Sequence, residues 1–226
     1  MEMTLLILAA LLWVGVHVGI AGTVARARIV ARTGELPFTI GYSLLSVVAI
    51  VLLVQAWTAA PYVELWVAPV WLRWLLVLAM LPAFILFVAS VATPNPTAMG
   101  GKLRGAEPLG IQRITRHPML WSFALWAAIH LAGKGTLAGV FFFGALLVTA
   151  LVGMPSIDRK IAARDPEMWG RLAPGTSIIP FKAILAGRNR LVLAEIPVWV
   201  WGVGAGAWLA LLLLHPTLFG YPALPF

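Results

Sequence analysis

The sequence predicts an all-α fold, a polytopic helical bundle that is integral to a membrane and has about six transmembrane helices. Three observations lead to this prediction. Of the 226 residues, 62% are hydrophobic and only 11% are charged, and the mean hydropathy of +0.96 lies far above that of soluble globular domains. Apolar runs of about 20 residues, the length of a helix that crosses a bilayer, recur along the chain. Basic residues are concentrated after alternate runs.

Each apolar run defines one predicted transmembrane segment. In chain order these segments are residues 5–24, 38–57, 71–92, 118–132, 137–154 and 194–214. The fourth is the shortest and begins at a proline. In the long loop after the fifth segment, residues 157–172 are predicted to form a short amphipathic helix on the membrane surface. No linker divides the chain, so residues 1–226 are predicted to form a single domain.

The distribution of positive charge predicts the orientation of the segments. Fourteen of the sixteen lysines and arginines follow the first, third or fifth segment, among them Lys102 and Arg104. This positive-inside pattern places both termini on the outer face. It also accounts for the net charge of +8 without nucleic acid, and it makes anionic membrane lipid a secondary contact. The chain has no cysteine, which excludes disulfides, thiolate ligands and thiol nucleophiles.

Two histidines, His17 and His130, lie inside predicted transmembrane segments. A neutral imidazole in hydrocarbon still needs partners for its ring nitrogens. One interpretation is a core histidine that bonds to a carbonyl or hydroxyl group of another helix. The other is a ligand of a metal-centred cofactor, and the residues alone leave both open. His117 precedes the fourth segment, and helix depth does not decide whether His117 or His130 would pair with His17.

The faces of the first and fourth segments carry further candidates. Ser122 and Trp126 recur at four-residue spacing with His130, and Ala127 leaves space one turn before that histidine. A flat ligand or a neighbouring helix could fill this space. In the first segment, Gly15, Gly19 and Gly22 form a small-residue strip for close helix packing, and Gly15 and Gly19 are predicted to pack against one neighbouring helix.

Several short motifs are distributed along the chain. They are Asn95-Pro96-Thr97, Ile114-Thr115-Arg116-His117-Pro118, Leu125-Trp126, His130-Leu131, Ile157-Asp158-Arg159 and Thr176-Ser177-Ile178-Ile179-Pro180-Phe181. Together they resemble the motifs of the NnrU family of bacterial inner-membrane proteins. The resemblance covers nearly the whole chain. It implies a multi-pass protein of the bacterial inner (cytoplasmic) membrane, linked to denitrification and nitric oxide metabolism. It does not define a biochemical activity or decide whether the protein is an enzyme.

The same segments are similar to plant zeta-carotene isomerase, a membrane enzyme that holds haem b through histidines and isomerises a polyene. This similarity implies that His17 and His130 hold the iron of haem b, with a hydrophobic polyene or a redox protein as partner. On this hypothesis Ser122, Trp126 and Ala127 line the cofactor pocket. Arg116 and His117, at a helix N-terminus, would meet a haem propionate. The plant enzyme has a cysteine at the position of Ala127, so a thiolate–histidine ligand switch is not available here.

The residues also leave two other functions open. The Arg-His-Pro motif is similar to that of isoprenylcysteine and phospholipid methyltransferases, but a single acid, Asp158, followed by two cations replaces their acidic pair. In the second alternative the chain is a non-catalytic assembly factor, and its histidines only bond between helices. Two histidines would also suit a metal ion. The sequence does not give the substrate, the electron donor or the oligomeric state.

Overall fold

A computed structural model describes residues 1–97 and 108–225, and within these residues the fold is helical without a β-strand. Lys102 and Arg104, which contributed to the predicted orientation, lie outside the described residues. The α-helices are Glu2–Val14 (α1), Val24–Thr33 (α2), Glu35–Ala59 (α3), Val70–Ala92 (α4), Ile111–Ile114 (α5), Pro118–Lys134 (α6), Leu137–Arg164 (α7), Pro166–Gly175 (α8), Lys182–Leu185 (α9) and Val198–Phe219 (α10). A π-helix, Gly15–Ile20, continues α1, and a 3₁₀ turn, Leu193–Glu195, precedes α10.

Five helical segments of the described chain are long and apolar enough to cross a membrane. They are Glu2–Ile20 and the helices α3, α4, α7 and α10. Helix α6 has 17 residues, which is the lower end of the spanning range. Between 11% and 39% of the most apolar window of each span is buried by protein, so lipid hydrocarbon must cover most of these apolar side chains. The prediction of a helical membrane bundle with about six spans is confirmed, whereas the outer location of both termini stays a prediction.

Helix α7 extends ten residues beyond the predicted end of the fifth segment. It continues through Pro155 to Arg164, because a proline in a membrane-spanning helix removes one donor without necessarily ending the helix. Asp165 then begins α8, and its carboxylate accepts a hydrogen bond from the Met168 amide at 2.9 Å. The prediction of one amphipathic helix over residues 157–172 is therefore wrong, since its first half belongs to α7.

The π-helix changes which glycines of the first segment are in close contact. A Cβ built on Gly15 or Gly19 meets no described atom within 4 Å, so the prediction that these two glycines pack closely against another helix of the chain is wrong. A Cβ on Gly22, the third glycine of the predicted strip, would overlap the Val18 carbonyl oxygen of the same segment. The physical reason is that π-helical turns are wider than α-helical ones and rotate side chains away from their predicted positions. Such turns are rare and are frequent at functional sites.

The chain divides into two compact units. The first comprises Met1–Ala68 and Ala127–Ser156, and the second comprises Pro69–Trp126 and Ile157–Phe226. In the first unit, Gly135 closes the turn between α6 and α7 at φ +59°, and its carbonyl accepts from the Leu65 amide at 2.8 Å. In the second unit, α4 packs against α10, where a Cβ on Gly204 would lie 3.1 Å from the Ile85 Cα. That the whole chain is a single domain stays a prediction.

Candidate functional site

His17 lies in the π-helix of the first unit, with one ring nitrogen bonded and the other not bonded to any described group. Its Nδ1 is 2.9 Å from the Trp13 carbonyl oxygen. Because a carbonyl can only accept, Nδ1 carries the proton and Nε2 keeps its lone pair. Among the described residues no hydrogen bond engages Nε2. A core histidine that bonds to a carbonyl would also make the Trp13 contact, but that contact satisfies only one of the two nitrogens.

Aromatic rings enclose the His17 imidazole. The Trp13 ring lies 3.9 Å away between centroids, at 32° to the imidazole plane. The Tyr42 ring of α3 meets the imidazole edge-on at 5.8 Å. His17 is half-buried. This environment provides an apolar wall around a nitrogen lone pair whose direction is fixed by the hydrogen bond on the opposite side of the ring.

His130 lies on α6 in the same unit as His17. Its imidazole stacks on the Phe143 ring of α7 at 5.2 Å and 27°. Phe143 in turn meets Trp57 of α3 edge-on at 5.8 Å, so α3, α6 and α7 are joined by aromatic contacts beside this histidine. Both predicted ligand histidines are therefore half-buried next to aromatic rings of the first unit. Their joint ligation of one cofactor stays a prediction.

The side chains predicted to line a cofactor pocket on α6 have different surroundings. Ser122 is buried and donates to the Met119 carbonyl at 2.7 Å. Ala127 is fully buried by protein, and Trp126 is half-buried. The division into units runs between Trp126 and Ala127. A pocket-lining role for these three residues stays a prediction.

The second unit contains a buried ionic group, called here the Arg-His-Asp cluster, formed by Arg116, His117 and Asp158. Arg116 donates to both oxygens of Asp158, from Nε at 3.0 Å and from Nη2 at 2.6 Å. His117 Nε2 is 2.8 Å from Asp158 Oδ1. The three side chains are 12%, 0% and 10% exposed, respectively, and the guanidinium of Arg116 lies 5.3 Å from the Trp169 ring centroid. Asp158 thus accepts charge-assisted hydrogen bonds from two side chains.

Backbone and hydroxyl hydrogen bonds bring the separate sequence motifs together at this cluster. The Thr115 hydroxyl donates to the Ile178 carbonyl at 2.8 Å, which joins the Arg-His-Pro motif to the segment before α9. The Thr97 hydroxyl donates to the Arg116 carbonyl at 2.6 Å, which adds the Asn-Pro-Thr turn. Asp158 adds α7. Motifs that are up to 80 residues apart in sequence therefore build one buried polar structure.

One nitrogen of the cluster has no partner among the described residues. His117 Nδ1 is buried, and no described group bonds to it. Because Nε2 faces a carboxylate, Nε2 donates and Nδ1 keeps its lone pair. In the neutral imidazole, Nδ1 can therefore accept a hydrogen bond. Arg116 and His117 were predicted to meet a haem propionate; in this structure both bond to a carboxylate of the chain itself, and a propionate contact stays a prediction.

The sequence analysis treated Asp158 as part of a family motif and as a departure from an acidic pair, and it missed the place of Asp158 in the cluster. A signal was present, because Asp158 is a lone acid directly after an apolar span. A carboxylate at that position is costly without a cation. The adjacent cations Arg159 and Lys160 are the expected partners of Asp158 in the sequence, so nothing indicated that its partner is Arg116, more than 40 residues away.

Comparison with known proteins assigns the chain to a family. The profile of the NnrU protein family matches residues 5–223. The chain belongs to the NnrU protein family. The resemblance inferred from its motifs is thereby confirmed. The Arg-His-Asp cluster is built from two of those motifs, and hydrogen bonds of Thr97 and Thr115 join two more to it.

Two curated relatives of this NnrU-family chain are plant proteins. The chloroplastic 15-cis-zeta-carotene isomerases of Zea mays and Arabidopsis thaliana are each 35% identical to it over 82 residues. Those residues are 36% of this chain and 22% of either plant protein, so the match spans about a fifth of the relatives' length. No solved structure matches the chain.

Proposed function

We propose that this NnrU-family membrane protein holds haem b between His17 and His130 and uses it in the cis–trans isomerisation of a hydrophobic polyene or in related redox chemistry. The observation that carries the proposal is the hydrogen bond from His17 Nδ1 to the Trp13 carbonyl. Histidines that bind metals donate their second ring nitrogen in this way, which fixes the tautomer and makes the ligating nitrogen more basic. This hydrogen bond leaves the lone pair of His17 Nε2 available to bind iron.

The available donor set fits haem better than a bare metal ion. A structural ion such as zinc takes three or four protein ligands, whereas haem iron needs only one or two. Within the described ranges there is no group of three or more His, Cys, Asp or Glu side chains that could hold an ion. Two imidazoles beside Trp13, Tyr42 and Phe143 match the needs of a flat, largely apolar macrocycle.

Each residue of the site has a defined task in this proposal. His17 would bind iron through Nε2 while Trp13 holds the ring in place, and Phe143 would fix the plane of the His130 ring. When bound, haem supplies one-electron chemistry that the side chains lack. With the group bound, the aromatic side chains would limit the access of water to it, and solvent access is one factor that sets the redox potential of a haem. A polyene, which is insoluble in water, would reach such a site from the surrounding lipid.

The choice of an isomerase-like activity rests on the two plant relatives, whose names give a cis-carotenoid as substrate. Because they share only 82 residues with this chain, the substrate itself is part of the proposal. A link to denitrification or nitric oxide metabolism and a location in the bacterial inner membrane rest on the family resemblance. Asp158 has both oxygens engaged by Arg116 and His117, which argues against the methyltransferase alternative.

The experiment is an absorption spectrum of the detergent-purified protein from haem-replete cells, oxidised and then reduced with dithionite. We expect a Soret band with sharp reduced α and β bands that is lost in His17→Ala and in His130→Ala. The matched control is His215→Ala, because His215 lies near the end of α10, is half-buried like the two candidate ligands, and donates from Nδ1 to the Tyr221 carbonyl at 2.6 Å. It should keep the wild-type spectrum.

Size-exclusion profiles and unfolding temperatures of all variants show whether each is folded. A folded, colourless wild type contradicts haem binding. In a non-catalytic assembly factor, His17→Leu would lower the unfolding temperature of a protein that carries no cofactor absorption at all.

A further inference from the structure

The second unit contains a basic pocket of about 520 Å³, a volume typical of small-ligand sites. Four of its lining residues are arginines, namely Arg113, Arg171, Arg188 and Arg190. The other lining residues are prolines, glycines and Asn189, so none of the described residues in the wall is acidic. The pocket shares no residue with the proposed haem site, and a ligand can bind in it whether or not the protein holds haem.

Two of the four arginines are balanced by carboxylates. Arg113 forms a two-pronged ion pair with Glu195, at 2.7 and 2.9 Å. Arg171 pairs with Glu167 at 3.2 Å, one helical turn away on α8. Neither Arg188 nor Arg190 forms a salt bridge with any acidic side chain of the described chain. Arg190 interacts with the Glu195 carboxylate through space, without a hydrogen bond. The wall therefore places four arginines against two carboxylates, Glu195 and Glu167, and carries an excess of positive charge.

Arg188 is already held in position by the protein. Its Nη1 donates to the carbonyls of Pro174 and Thr176, at 2.5 and 3.1 Å. These carbonyls lie at the C-terminus of α8, where cations are favoured. Nε and Nη2 of Arg188 make no hydrogen bond to the described residues. The guanidinium is thus anchored on one side and offers two parallel donors on the other.

The loop that carries Arg188 and Arg190 is also fixed. Asn189 lies between them, and its side-chain amide donates to the Gly175 carbonyl at 2.8 Å while its carbonyl oxygen accepts from Arg113 at 2.7 Å. Gly187 begins the loop at φ +67°, a conformation that favours glycine. Since the loop is ordered before any ligand arrives, less conformational entropy is lost on binding.

The chemistry of the wall indicates the ligand. Arginine donors match the geometry of phosphate oxygens in two-pronged hydrogen bonds. Exposed apolar side chains flank the loop on both sides in sequence; they are Phe181, Leu185, Leu191 and Leu193. Apolar side chains beside arginines are typical of the membrane interface, where lipid phosphates lie. We propose that this pocket binds the phosphate of an anionic phospholipid headgroup.

The test compares Arg190→Gln and Arg188→Gln/Arg190→Gln with the control Arg28→Gln/Arg32→Gln. The control removes the same two charges from α2, where both arginines are exposed. Each full-length protein, delipidated in detergent, is titrated with phosphatidylglycerol, phosphatidylcholine and inorganic phosphate, and unfolding temperature reports binding relative to each variant's own ligand-free value. Arg190→Gln removes a side chain that makes no hydrogen bond to the described chain. Because the charge of Arg190 also interacts with Glu195, binding to this variant is read only against its own ligand-free unfolding temperature.

We expect phosphatidylglycerol to stabilise the wild type and the control equally. Its dissociation constant should rise about tenfold or more in the double pocket variant, since hydrogen bonds to charged groups are lost. If the binding of phosphatidylglycerol is weakened equally in the pocket and control variants, the proposed site is wrong and the lipid is attracted by the positive surface in general. If inorganic phosphate stabilises the protein as much as phosphatidylglycerol does, the lipid headgroup is not the source of the bound phosphate, and the pocket binds a soluble phosphate instead.

Discussion

Replacement of Asp158 by asparagine tests whether the Arg-His-Asp cluster is an intact buried ion pair. The carboxylate accepts from Arg116 at 2.6–3.0 Å and from His117 at 2.8 Å. Asparagine has nearly the same size, so the substitution removes the charge without creating a cavity. It leaves the guanidinium of Arg116 buried without a counter-charge, and breaking a buried pair in this way costs about 3–5 kcal/mol.

The assay is thermal unfolding in detergent, followed by tryptophan fluorescence. For a chain of this size about 2–4 °C corresponds to 1 kcal/mol, so the midpoint should fall by about 6–20 °C. The matched control is Glu167→Gln, which breaks the Arg171–Glu167 pair whose side chains are 44% and 83% exposed. Exposed pairs contribute about 0–1 kcal/mol, so this midpoint should change by less than about 4 °C. If the midpoint of Asp158→Asn falls no further than that of Glu167→Gln, the cluster is not a stabilising buried ion pair.

Two further predictions concern the π-helix and the pH dependence of stability. Gly22→Ala should destabilise the protein by about 1–3 kcal/mol through overpacking, because the new Cβ would overlap the carbonyl oxygen of Val18 in the π-helix. Gly41→Ala in α3, whose Cβ would meet nothing within 4 Å, should be neutral or stabilising. Equal unfolding temperatures of the two variants would contradict the close approach of Gly22 to Val18. The hydrogen bond from Arg113 holds the pKa of Glu195 below its ordinary value of 4.5. The stability that this ion pair contributes is therefore fully present above pH 4.5. It is lost as the pH falls through the lower pKa that Glu195 has in the folded state. The unfolding temperature of the wild type should therefore fall between about pH 6 and about pH 3 by more than that of Glu195→Gln. If the unfolding temperatures of the two proteins fall in parallel, the Arg113–Glu195 pair is not the cause.

The candidate ligands could be found from sequence because their signal is local. An imidazole in the middle of an apolar segment is costly, so His17 and His130 stand out whatever their neighbours in space. The π-helix that holds His17 could not be found in this way. The pattern of apolar residues from Leu5 to Val24 is equally compatible with an α-helix, and only the tertiary contacts of the segment select the wider turn.

Hydropathy and segment length are local properties of the sequence. The sequence alone was therefore enough to predict a helical membrane protein and to identify the polar side chains whose burial in hydrocarbon costs free energy. Which charges meet became clear only from the folded chain. Asp158 could pair with the adjacent Arg159 as far as sequence shows, yet it bonds to Arg116 and His117 because the segments that carry them pack together. Arg188 likewise gains its role from carbonyls at the end of α8. Pairing between distant polar groups depends on how the helices fold against one another, and that information is spread over the whole chain.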